Sequence, residues 1–269
     1  MALRINTNVE AFNAHRQLVG TSDKLGKAME RLSSGYRINR AADDAAGLAI
    51  TEKLRGQIKG LEQAQRNAQD AISLVQTAEG SLTEVHAMLQ RVRELAVQYK
   101  NGSLSANDRM AIQSEVNMLG SEIERIGSTA QFNGIPLLNS PQSISFQVGA
   151  QDGEVIKVST VSLGSVVSPT VVVLNTSNAT DISEIDVAID AISAQRAQFG
   201  AVQNRLEHTL SNLAIYNENL MASESRIRDV DMAAEMVNFT KLQILQQSGT
   251  AMLAQANQTP QSVLQLLQG

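Results

Sequence analysis

Apolar columns at seven-residue spacing constrain this chain more than any other feature. From Leu54 the step runs Leu54, Leu61, Ala68, Val75, Leu82, Leu89 and Ala96, and a second seam begins ten residues later with Ala64, Ala71, Ala78, Val85, Val92 and Tyr99. Such a repeat predicts one long helix with a stripe that needs a partner. From Ile185 the same step gives Ile185, Ile192, Phe199, Leu206, Leu213, Leu220 and Ile227, a second long helix and a natural partner for the first. Between them, "NGSLSANDR" supplies an Asn101-Gly102 turn and a cap-like start from Ser105 to Asp108. Ile112, Val116, Leu119, Ile123 and Ile126 then predict a third amphipathic helix folded back on the first, so that three helices share a core.

Residues 130–180 change character. "ISFQV" (144–148) and "VIKV" (155–158) alternate around Asp152-Gly153 and predict a β-hairpin, with "TVVVL" (170–174) a further strand candidate. The Ser/Thr content that follows residue 159, with Pro169, predicts a solvated surface segment too short for a second large domain. The two ends are amphipathic. Ile5, Val9, Phe12 and Val19 fall on one side of an N-terminal helix, while Met232, Met236, Phe239 and Leu242 continue toward Leu253 and a greasy end with Val263, Leu264, Leu266 and Leu267. Breaks at "SSGYRINRAADD" and "RIRDVD" set these ends apart from the bundle. Two such helices offer each other one face apiece, so residual apolar surface is expected.

Composition excludes several function classes. With 269 residues, 43% hydrophobic, the chain can build a sizeable core. A net charge of −5 without Lys/Arg clusters argues against nucleic acid as partner. No apolar run approaches a membrane span, so no membrane partner is expected. The start, "MALRINTNVEAF", does not read as a general secretory signal peptide. There is no cysteine, hence no disulfide and no thiolate metal site.

Catalytic patterns fail on spacing. His15, His86 and His208 lie far apart, with no second His or Cys at ligand spacing, and read as helix-surface residues. "GTSDKLGKA" (20–28) has the wrong glycine spacing for a phosphate loop and Ala28 where a hydroxyl is needed. "DVDMAAEMVNFT" (229–240) lacks the glycine and the glutamate of a calcium loop. Asp43 and Asp44 diverge on a helix and read as a helix start. No catalytic residue, metal or cofactor is expected. In "QRVRELAVQ" (90–98), Leu89, Val92 and Ala96 are expected to face the core, with Arg91, Leu95 and Gln98 opposite them on the solvated side.

Five stretches together resemble bacterial flagellin: "RLSSGYRINRAADDAAGLAI" (31–50), "QRVRELAVQ" (90–98), "QFNGIPLL" (131–138), "ESRIRDVDMAAEM" (224–236) and "KLQILQQSGTAMLAQANQTPQSVLQLL" (241–267). The resemblance covers roughly the first 140 and last 90 residues. It implies a mainly α fold, a long antiparallel helical bundle or coiled coil with a small β-hairpin region plus paired N- and C-terminal helices. It further implies an inner terminal coiled-coil domain (1–43 and 228–269), an outer helical domain (44–227) with the hairpin region near 130–180, and no large variable domains. The implied function is structural, not enzymatic: export through the flagellar secretion channel, then polymerisation into an extracellular filament for swimming. Implied partners are further copies of the chain, the filament cap, the hook-junction proteins, an export chaperone and the vertebrate Toll-like receptor for flagellin.

By position, the resemblance assigns receptor recognition to Gln90, Arg91, Leu95 and Glu115, and inner-domain assembly to Ile5, Val9, Phe12, Val263, Leu264, Leu266 and Leu267. It also makes Leu264, Leu266 and Leu267 similar to the segment read by the cytosolic flagellin sensor. Some flagellins carry a metallopeptidase site in the central insertion, which this chain lacks. Two alternatives are a hook-filament junction protein of the same superfamily and a cytoplasmic coiled-coil scaffold. The intact terminal motif (252–267) favours the filament subunit over the first, and the β region with the terminal motifs disfavours the second.

Overall fold

The computed structural model describes residues 8–167, 174 and 181–268, with 181 and 260–268 described by backbone alone. Helices α1 (Val9–Ser34), α2 (Ala45–Tyr99) and α3 (Ala106–Thr129) come first, followed by strands β1 (Gln131–Phe132), β2 (Ile135–Pro136), β3 (Ser143–Gln147) and β4 (Val155–Ser159). A short α4 (Leu163–Val166) and the long α5 (Asp181–Arg228) and α6 (Met232–Gln268) complete the order. The fold is mainly α with a small β region. The chain forms two compact units, residues 1–56 with 219–269, and residues 57–218.

In the unit 57–218, both predicted seams of α2 are buried from Leu61 to Ala96 and from Ala64 to Val92. Against them lie Ile185, Ile192, Phe199 and Leu206 of α5 and Ile112, Val116 and Ile123 of α3 in one apolar core. Burial fades along the α5 column at its end, where Leu220 and Ile227 are half-buried. Helix α3 begins with a reciprocal capping box: Ser105 Oγ accepts from the Asp108 N–H, and the Asp108 carboxylate accepts from the Ser105 N–H.

The hairpin pairs β3 with β4, Ile144 opposite Val158 and Phe146 opposite Ile156, which puts four apolar side chains on one face. Ile156 and Val158 are buried. Both outer edges of this ribbon are tied down: Asn67 Nδ2 donates to Gln147 O (3.0 Å) and Gln195 Nε2 donates to Ser159 O (3.0 Å). A smaller hairpin, β1–β2, was not foreseen as such. Its two central residues, Asn133 (φ 49°) and Gly134 (φ 77°), are both left-handed, the requirement of a tight two-residue turn. The strand expected over residues 170–174 lies outside the described residues except for Leu174, which is buried and whose N–H donates to Gln113 Oε1 (3.0 Å).

In the other unit, α1 packs on α6. The seam on α1 consists of Ala11, Ala14, Leu18, Thr21, Leu25, Ala28 and Leu32, all buried or half-buried at alternating three- and four-residue steps. The matching set on α6 is Phe239, Leu242, Gln246, Gly249, Leu253 and Ala256. Many of these are small, so the helices approach closely: a Cβ on Gly249 would lie 3.2 Å from Leu18 Cδ1. "GTSDKLGKA" runs through the middle of α1 as uninterrupted helix. Asn8 caps α1, accepting from the Ala11 N–H (3.0 Å), and also donates to Ala256 O (2.7 Å). Gly35 (φ 73°) ends α1 in the left-handed conformation, its N–H donating to Arg31 O.

Candidate recognition and assembly surfaces

Arg91 and Glu115 meet across α2 and α3. Arg91 Nε and Nη2 both donate to Glu115 Oε1 (3.1 and 3.0 Å), and Nη1 donates to Glu94 Oε2 (3.0 Å). These bonds, the one to Glu94 first and then that to Glu115, hold the guanidinium proton more tightly than in an isolated arginine. All three groups remain about half exposed, so the pair presents an ordered polar patch to solvent while contributing little to stability. Gln90 lies one turn after His86, its Nε2 3.0 Å from His86 Nε2.

Leu95 corrects the sequence reading. It is not on the solvated side but buried, at 2% exposure. The reason is a third column on α2, Leu74, Met88 and Leu95, beside the two seams. A helix packed against two others buries a stripe wider than a two-helix seam. Gln98 is exposed as expected.

The assembly candidates divide into three groups. Val9 and Phe12 are exposed, at 54% and 69%, with Val19 beside them at 47%. This stripe faces away from the α1–α6 seam, which uses the other side of α1. On α6, Met236, Val237, Ile244 and Leu245 are likewise exposed, and Met236, Val237, Thr240, Lys241 and Ile244 line a shallow depression of about 420 Å³. Ile5 lies outside the described residues. Val263, Leu264, Leu266 and Leu267 fall within helical backbone, their side chains outside the description.

One feature of this unit escaped sequence reasoning altogether. The segment after α1 straps across the break between α5 and α6: Tyr36 bridges Asp229, Arg37 N–H donates to Arg228 O (2.7 Å), and Val230 N–H donates to Gly35 O (3.0 Å). Two guanidiniums lie over the Tyr36 ring, Arg228 Cζ at 4.8 Å and Arg55 Cζ at 5.6 Å from its centre. Each arginine has its own carboxylate, Arg228 with Glu52 and Arg55 with Glu224, both at 2.9 Å. Burial works against the Arg55 charge, but Glu224 and the Tyr36 hydroxyl outweigh it and the proton is held more tightly than usual. The signal available in the sequence was an aromatic residue in a Gly-Tyr-Arg triplet after a helix, and nothing local names its distant partners.

The aspartates at the two breaks serve the backbone. Asp44 Oδ1 accepts from the Gly47 N–H (2.9 Å) at the start of α2, whereas Asp43 Oδ2 accepts from the Asn39 and Arg40 N–H groups in the turn before it. Asp231 Oδ1 accepts from the Ala233 and Ala234 N–H groups and starts α6, the stretch compared above with a calcium loop. Among the described residues no group of three or more His, Asp or Glu could hold a metal ion, and no helix is long and apolar enough to cross a membrane.

Comparison with known proteins covers nearly the whole chain. The family profile described as the bacterial flagellin N-terminal helical region matches residues 5–143, and that described as the C-terminal helical region matches residues 182–267. A flagellin of Halalkalibacterium halodurans is 53% identical over 98% of this chain and 99% of its own length. A flagellin of Bacillus subtilis (strain 168) is 47% identical over 98% of this chain and 100% of its own. The crystal structure of Bacillus cereus flagellin is similar with a TM-score of 0.50 and 32% identity, covering 55% of this chain and 88% of that one.

Proposed function

The chain belongs to the bacterial flagellin family, and from that premise we propose how its surfaces divide the work of a filament subunit. The protein is a structural subunit that polymerises with copies of itself into the extracellular flagellar filament, and it is not an enzyme. Within that role, residues 1–43 and 228–269 act as the inner domain and 44–227 as the outer one. The observation that carries this reading is the unsatisfied apolar stripe of the terminal pair, with Phe12 at 69% exposure although an apolar core is available elsewhere. Ile5, Val9, Phe12, Val263, Leu264, Leu266 and Leu267 supply the contacts to neighbouring subunits, and an export chaperone covers the greasy C-terminal end before assembly. The filament cap and hook-junction proteins meet the same terminal helices at the two ends of the polymer.

Seeded elongation, followed by electron microscopy with the full chain and with a chain ending at Thr259, tests this division. Filaments from the full chain alone are expected. Equal elongation by the shortened chain removes the terminal leucines from the contacts.

A second role is supported by the ordered Arg91–Glu115 patch. With Gln90 it is the face that the vertebrate Toll-like receptor for flagellin reads in the free subunit, Leu95 acting from beneath as packing for that face, and polymerisation masks it. Purified subunit is expected to activate receptor-bearing cells and Arg91→Ala to weaken activation. An unchanged response to Arg91→Ala sinks the assignment.

A further inference from the structure

Two-electron oxidants find one kind of soft target in this chain. It has no cysteine and no tryptophan, but nine methionines. Methionine commonly fills gaps in interiors. Here Met110 (64%), Met118 (71%) and Met221 (45%) are exposed on α3 and α5, and the terminal pair exposes Met29 at 55%, Met232 at 48%, Met236 at 50% and Met252 at 64%. Met236 sits in the shallow apolar depression with Val237 and Ile244, and Met252 lies one heptad beyond the exposed Leu245. The thioethers of the free subunit are therefore open to solvent on the unit whose apolar surface awaits a neighbour.

We infer that Met29, Met232, Met236 and Met252 are oxidation sites for hydrogen peroxide and other hydroperoxides, and that their conversion to sulfoxides stops the subunit from polymerising. The inference rests on the homopolymer reading, since only an assembled copy covers this surface. In the reaction the Sδ lone pair attacks one peroxide oxygen. The O–O bond breaks as the S–O bond forms, sulfur gives up two electrons, and the proton on the transferred oxygen passes to the departing oxygen, which leaves as water from hydrogen peroxide or as an alcohol from an organic hydroperoxide. The product replaces an apolar, pliable side chain with a polar one carrying a strong acceptor. Burying that oxygen against a neighbouring subunit leaves it without a donor, which disfavours the contact. Once assembled, the same side chains are shielded, so oxidation sensitivity belongs to the free subunit. The chemistry is reversible by methionine sulfoxide reductases.

The test uses full-length protein. Free subunits and preformed filaments are treated with hydrogen peroxide, quenched, and mapped by peptide mass spectrometry, and the subunits are then offered to seeds. The four methionines are expected to gain oxygen in free subunits and to be protected in filaments. Elongation should fall about tenfold or more, the fold-change expected for a buried unpaired acceptor. Treatment with both sulfoxide reductases should restore it. A quadruple variant, M29L/M232L/M236L/M252L, which keeps side-chain volume, should elongate equally with and without peroxide. The proposal is overturned if oxidised subunits elongate like untreated ones, if these four methionines are oxidised in filaments as fast as in subunits, or if reductase treatment leaves the block in place. Failure of untreated subunits to elongate seeds overturns the homopolymer reading instead.

Discussion

Arg228 stacks its guanidinium 4.8 Å from the centre of the Tyr36 ring while its backbone carbonyl accepts a hydrogen bond from the N–H of Arg37, the residue after Tyr36. One residue thus holds the strap by both side chain and main chain, at a site where its own side chain is only 12% exposed. Tyr36→Phe keeps the stacking and loses the hydroxyl that accepts from Arg55 Nη2 (3.2 Å), and should cost about 0.5–1 kcal/mol. Tyr36→Ala also removes the ring that both cations contact and should cost about 2 kcal/mol. Hydrogen exchange at residues 35–40 and 227–231 reads both. Equal protection in the two variants would show that the ring contributes nothing.

Burial and assembly should separate cleanly between Leu82 and Phe12. Leu82 is fully buried, and Leu82→Ala should lower the stability of the free subunit by about 3 kcal/mol. Phe12→Ala should leave it within about 0.5 kcal/mol while sharply slowing seeded elongation. Thermal melting by circular dichroism and light scattering of seeded samples check the pair.

Two glycines of α2 should respond in opposite directions. A Cβ at Gly80 meets nothing within 4 Å, so Gly80→Ala should stabilise the helix by about 0.5–1 kcal/mol through reduced unfolded-state freedom. At Gly60 the same atom would lie 3.1 Å from Ala150 Cβ and 3.5 Å from its Cα, at the loop of the β3–β4 hairpin. Gly60→Val should therefore destabilise by about 1–3 kcal/mol. Melting of the two variants decides the signs.

The capping box gives a pH dependence. Hydrogen bonds from the Ser105 hydroxyl and then the Ser105 N–H hold the Asp108 carboxyl below its ordinary value of 3.8. A depressed folded-state pKa means stability that is complete above 3.8 and is lost as pH falls through the lower folded value. Asp108→Asn should therefore be less stable than the parent at neutral pH, with the difference closing as the parent is acidified through that window. A difference independent of pH would assign the effect to something other than the carboxylate charge.

The α2 and α5 seams were legible because their layers are bulky: Leu61, Leu82, Leu89, Phe199 and Leu206 announce a stripe by side-chain volume alone. The β3–β4 hairpin was legible from its alternation, and the start of α3 from Ser105 and Asp108. The terminal seam was legible only in part: Phe239, Leu242 and Leu253 stand out on α6, but the α1 side mixes Leu18, Leu25 and Leu32 with Ala11, Ala14 and Thr21, and Gln246 and Gly249 interrupt the partner, so no clean apolar column shows. The eye takes Val9, Phe12 and Val19 instead, which face outward. Small residues at several layers let the two helices approach closely, and Val9, Phe12 and Val19 are left facing outward. Leu95 was misread for a related reason: a seven-residue step describes a pair of helices, and a third partner widens the buried stripe without changing the step. The Arg91–Glu115 contact depends on how α3 returns along α2, and the strap through Tyr36 on residues nearly two hundred positions apart. Neither has a local periodic signature.

The hydrogen bond from Asn8 Nδ2 to Ala256 O joins residues 248 positions apart. Closing so long a loop carries an entropic cost that only the finished interface offsets, whereas α2 and α3 meet across a turn of a few residues. The order of events follows. On a chain made from its N-terminus, α1 is among the first segments to appear and among the last to find its partner. A product stopped short of residue 232 would fold its α2–α3 hairpin and leave Leu18, Leu25 and Leu32 in water. The terminal pair therefore forms only when α1 and α6 are both present.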